Sequence, residues 1–110
     1  VAERSGRIPA RSVLRAVQAA GPSEFVLLEG GPHLIGDFFA ERLLDELFLT
    51  LAPQVVGRSD GSPRPGLVAG RTFAPGDPLW GTIEGIRRAA DLLFLRYAFA
   101  AAGRRTPRRP

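Results

Sequence analysis

The spacing of apolar residues changes several times along the chain, and each change marks an element. Val13, Leu14 and Val17 share one face of a 3.6-residue period, which predicts a helix from about Val13 to Ala20 with Ser12 as its cap. Gly21-Pro22 stops it. Phe25-Val26-Leu27-Leu28 is a short continuous apolar run after a turn. Such a run reads as a strand buried on both faces, the parallel-sheet pattern. It ends abruptly in Glu29-Gly30-Gly31-Pro32. The helical period then returns from about Pro32 to Leu44, with Pro in the first turn. Leu34, Ile35, Phe38, Phe39, Leu43 and Leu44 make its apolar face, and Asp37, Glu41 and Arg42 are expected to face water.

Asp45-Glu46 leads into a second apolar run, Leu47 to Ala52, read as a central strand that Pro53 terminates. From Gly57 to Pro78 the chain is rich in Gly, Pro, Ser and Asp. A loop of that size is functional or mobile, pinned here by Leu67, Val68 and Phe73. Leu79 to Arg87 alternates loosely and reads as a strand. Leu92 to Phe99 reads as the last strand, joined to it as an antiparallel hairpin. The order is helix, strand, helix, strand, long loop, hairpin. That is an α/β domain with a mixed sheet flanked by helices.

Composition narrows the function. Hydrophobic residues are 45% of 110 residues, enough for a packed core. No run of 18 apolar residues occurs, so no membrane span is expected. There is no basic, apolar leader at Val1, and the chain is read as cytoplasmic and as a piece of something longer. The absence of Cys removes disulfides, thiolate zinc sites and a Cys nucleophile. All 15 basic residues are Arg, and Arg104, Arg105, Arg108 and Arg109 crowd the last seven positions. The remainder is balanced in charge, so no basic face for nucleic acid is expected. Residues 104–110 read as a disordered basic tail.

The candidate chemistry sits at Glu29-Gly30-Gly31-Pro32. A helix that starts directly beyond a strand end offers free N–H groups and a partial positive charge to phosphate. Gly30 and Gly31 let the backbone approach closely, Pro32 pre-sets the helix, and His33 and Leu34 bring N–H groups. On the dipeptide alone a simple tight turn is the stronger reading of Gly-Gly, and neither a dinucleotide fingerprint nor a P-loop is present. His33, the only histidine, reads as a capping contact or as backbone near a phosphate. Asp45-Glu46 reads as a turn rather than a carboxylate pair. Trp80, Phe94, Tyr97 and Phe99 read as core or interface aromatics, and Arg87-Arg88 as a solvated turn.

Val26 to Leu34, Leu44 to Leu47, Leu49 to Pro53, Arg64 to Leu67 and Leu92 to Tyr97 together resemble the C-terminal half of the reductase domain of bifunctional riboflavin-biosynthesis deaminase-reductases, a dihydrofolate-reductase-like family. The resemblance runs over residues 12–99, within a reductase portion drawn at 1–103. It implies an NADPH-dependent oxidoreductase that opens the ribose of a phosphoribosylamino-pyrimidine by hydride transfer. By the same resemblance, Gly30, Gly31, Pro32, His33 and Leu34 bind the cofactor's phosphates and Glu29 faces the substrate. The family often has Thr or Ser where this chain has His33, so the side chain there lacks the family's hydroxyl. The N-terminal half, with the first strands and the residues reading the adenosine 2′-phosphate, is not among these residues, and no zinc deaminase site is either. The expected partners are a small phosphorylated pyrimidine and a second copy of the chain. The rival readings are a related oxidoreductase with another substrate, and a truncated, non-catalytic module that homodimerises through the edge of Leu92–Phe99.

Overall fold

The computed structural model of the chain describes residues 6–63 and 65–100. Residues 104–110, expected as a basic tail, lie outside the described residues. The chain divides into a helical unit, residues 1–43 with 65–72, and a sheet unit, residues 44–64 with 73–110.

The helical unit holds α1 (Ala10–Ala20) and α2 (Pro32–Ala40), which contact each other. Helix α1 begins three residues before the expected start, and Ser12 does not cap it. The carboxylate of Glu41 does so from the far end of α2. It accepts the Ala10 N–H at 2.8 Å and the Arg11 N–H at 3.1 Å. These are donors that every helix start leaves without an intrahelical partner. At the other end the Gly21 N–H reaches the Val17 carbonyl at 3.2 Å.

Helix α2 stops at Ala40, four residues before the expected end. Arg42 takes a left-handed φ of 55°. The Arg42 N–H then bonds the Phe39 carbonyl and the Leu43 N–H bonds the Phe38 carbonyl, both at 3.0 Å. This is a Schellman ending with Arg in the place glycine normally takes. Phe38 and Phe39, with Ala10, form the small buried apolar centre.

The run Phe25–Leu28 is not a strand. It is extended but pairs with no strand, and Phe25 and Leu27 are 87% and 79% exposed. An isolated extended segment has no ladder to hold it, whatever its β propensity.

The sheet unit contains β1 (Glu46–Leu51), β2 (Gly81–Ala89) and β3 (Leu92–Phe99) in the order β1-β3-β2. Both pairings are antiparallel. The α/β class therefore holds, while the described sheet contains no parallel member because Phe25–Leu28 does not join it. Strand β3 is central, with Leu95 opposite Leu49 of β1 and Ile86 of β2. It therefore offers no edge for a partner, contrary to the expectation for Leu92–Phe99. The hairpin closes through Ala90-Asp91, with Ala90 at a φ of 50°. Arg87 and Arg88 belong to β2, not to the turn. The ladder slips once, at Glu84 between Ile83 and Gly85.

Register sorts the side chains by face. Leu47, Leu49 and Leu51 share one face with Leu93, Leu95 and Tyr97, as the two-residue strand period requires. The other face carries Glu46, Phe48 and Arg96. Of the aromatics read as core or interface residues, Trp80 and Phe94 are exposed, while Tyr97 and Phe99 are half-buried.

Candidate functional site

The site is built on the turn that launches α2. Glu29 is exposed at the end of the extended stretch. The two glycines after it do different things. A Cβ on Gly30 would stand 2.6 Å from Leu34 Cδ2 and 3.3 Å from Leu34 Cβ. Gly30 is therefore favoured by packing, because Leu34 folds back over it and would have to shift for a larger residue. Gly31 is the N-cap residue, with φ −72° and ψ 169°. Any residue adopts that conformation, and the residue before a proline favours it. A Cβ on Gly31 would meet nothing within 4 Å. Neither backbone conformation nor packing asks for glycine there, so the open space faces outward.

Pro32 fills the first helical position and contributes no N–H. The first intrahelical bond runs from the Ile35 N–H to the Gly31 carbonyl at 3.1 Å. The N–H groups of His33 and Leu34 lie ahead of it, and no side chain caps the helix. The sequence-predicted residues thus form one contiguous surface. It combines a bare glycine, two N–H groups ahead of the first intrahelical bond and the positive end of a helix, which suits a phosphate oxygen.

A strap of residues 67–71 packs along the same helix. The Ala69 N–H bonds the Pro32 carbonyl at 3.1 Å. Gly36 makes this fit, since a Cβ there would meet the Ala69 oxygen and Val68 Cγ1 at 3.0 Å. The strap turns at Gly70, whose φ of 74° favours glycine. The position of a Cβ on Gly70 lies 2.7 Å from His33 Nδ1 and 3.2 Å from Arg7 Nη2. The His33 ring therefore leans on the strap, and its side chain is directed away from a capping role.

Asp37 was expected to face water. It is instead 8% exposed and joins two arginines. Arg71 Nε donates to Oδ1 at 2.9 Å and Arg7 Nε meets Oδ2 at 3.3 Å. Its position on the predicted polar side of α2 hid this, because the covering strap arrives from more than thirty residues away. The one informative signal was Gly36 beside it, a helix-interior glycine that marks close approach.

In the sheet unit, Glu46 and Arg96 form a two-pronged ion pair, with Arg96 Nε to Glu46 Oε2 at 2.9 Å. The hydrogen bond from Arg96, ahead of its charge, holds the Glu46 carboxyl below the usual carboxylate range, and Glu46 in turn raises Arg96. Arg96 also lies over the Phe48 ring, 5.9 Å from its centroid. The pair ties β1 to β3 across a non-adjacent stretch of sequence.

Among the described residues no group of three or more His, Asp or Glu is placed to hold a metal ion. No described helix is long and apolar enough to cross a membrane. A family model described as the RibD C-terminal domain matches residues 2–74. The match takes in α1, the Glu29–Leu34 turn, α2, β1 and the strap, and stops before the hairpin. No curated protein matches the chain.

Proposed function

The chain belongs to the RibD C-terminal domain family, a reductase domain of riboflavin biosynthesis, and on that premise we propose that it serves an NADPH-dependent pyrimidine reduction. The substrate in this reading is 5-amino-6-(5-phosphoribosylamino)uracil. When bound, NADPH supplies a hydride to the opened ribose, and a ribitylamino product results. The chain's own residues supply placement. Gly31 lets the diphosphate approach the backbone. The N–H groups of His33 and Leu34 bind its oxygens, Gly30 and Pro32 fix the turn, and Glu29 orients the heterocycle from the segment just ahead of the turn.

One observation carries the reading: Gly31 is a glycine that the fold does not need. Its backbone is unstrained and its Cβ position is open. Titrating the chain with NADPH, followed by cofactor fluorescence, tests this directly. Gly31→Val is expected to keep the helical circular dichroism and the melting temperature while losing cofactor binding. A folded parent chain that does not bind NADPH would overturn the cofactor assignment for these residues.

A second reading, a non-catalytic module that forms homodimers, has one observation in its favour. The leucine face of the sheet continues onto Ile83 and Ile86, which are 59% and 60% exposed. Light scattering decides it: a monomer across the micromolar range removes this reading.

A further inference from the structure

We propose that Arg7 and Arg71, held together by Asp37, form a second anion subsite that takes a phosphate monoester. Two guanidinium groups from separate segments converge on one carboxylate. Among the described residues one negative charge stands against two positive ones here, so this trio is net positive. Like charges brought together disfavour each other, and one shared carboxylate offsets that only in part. The carboxylate sits inside, at 11% side-chain exposure, while the arginine side chains are 48% and 45% exposed. The buried member therefore acts as the anchor and the open members face solvent.

The atoms used also matter. Both arginines meet Asp37 through Nε, and each guanidinium carries terminal amino donors besides. A planar fork with several donors is suited to phosphate oxygens. Arg7 Nη2 is turned toward Gly70, where only a glycine leaves room beside it and the His33 ring forms the border. The strap holds this arrangement against the first turn of α2 through Ala69 and Pro32. None of this depends on the diphosphate assignment at Gly31, although both sites lie along one helix.

A phosphate monoester could come from two sources: the 2′-phosphate of a dinucleotide or the 5-phosphate of a phosphoribosyl group. Titrating the full chain with 2′-AMP and, separately, with ribose 5-phosphate distinguishes them, with NMR shifts of the arginine Nε–H groups as the readout. Binding of either with shifts at Arg7 and Arg71 is expected, and the tighter ligand identifies the source. Arg71→Gln and Arg7→Gln should each weaken it by about tenfold, as lost charge-assisted bonds would. Asp37→Asn should tighten it, because the competing carboxylate charge is gone. That opposite sign separates a ligand site from a purely structural clamp, in which all three substitutions would act alike. If Asp37→Asn does not fold, the two arginine variants decide. Shifts spread over the whole arginine set, or unchanged affinity in both arginine variants, would overturn the site. Gly31→Val is expected to leave monoester binding intact, so failure here and failure of the diphosphate assignment are told apart.

Discussion

The helical unit and the sheet unit are held by different means. In the helical unit a few side chains carry the structure: Phe38 and Phe39 inside, Asp37 between two arginines, Glu41 on the start of α1. In the sheet unit the backbone ladder carries it. Strand β3 is paired on both sides, yet no side chain of the three strands is buried. A ladder tolerates side-chain change, because its bonds are made by atoms every residue has. A side-chain clamp does not, because each member has one address. The candidate sites follow this division: both lie on α2, in the unit where single side chains matter most.

The comparison breaks most readily at Phe38. Phe38→Ala should destabilise the helical unit by about 3–5 kcal/mol, the range for large aromatic deletions in a core. Hydrogen exchange of the α1 and α2 amides would show it; unchanged protection there would mean that the small apolar centre is not what holds the unit. Next comes the glycine pair. Gly30→Ala should cost about 1–2 kcal/mol in chemical denaturation, since Leu34 must give way. Gly31→Ala should stay within about 0.5 kcal/mol of the parent. Equal costs would remove the distinction between a packing glycine and a ligand glycine.

The smallest effect belongs to the sheet unit. The Glu46 carboxyl is held below its ordinary range in the folded chain. Its contribution is then complete above the pH at which the unfolded chain's Glu46 titrates. It is lost as pH falls through the lower folded value, because the unfolded state takes up the proton first. NMR titration of the Glu46 side chain should give a midpoint below that of an unperturbed glutamate, and Arg96→Gln should restore it. Both groups are open to water, so the loss in overall stability is expected to be slight.

Much of this was legible in the sequence where a local pattern decides the outcome. The span of β3 and the start of α2 at Pro32 follow from period and from proline chemistry. The turn into α2 was legible too, because glycines directly before a helix-starting proline are a local signal, although the strand expected ahead of them is absent. What escaped reading depended on distant partners. The cap of α1 comes from Glu41, and the burial of Asp37 comes from a strap beyond β1. The stop of α2 at Ala40 escaped for another reason: Arg42 adopts a conformation for which glycine is the usual marker. Phe25–Leu28 shows the converse. Its residues are right for a buried strand, but a strand exists only with a neighbour, and propensity cannot supply one.

Glu41 closes α2 and opens α1, so one residue makes two helices conditional on each other. The bond from the Ala10 N–H to Glu41 spans 31 residues, and its geometry depends on α2 stopping where it does. Helix α1 is then not an independent module that docks late, since its first turn is completed by the chain that follows it. A peptide containing α1 alone should be poorly helical at its start, and a carboxylate added in trans would be a weak substitute because the chain no longer holds it in place. The helix that is synthesised earlier thus has its first turn completed by a residue synthesised later.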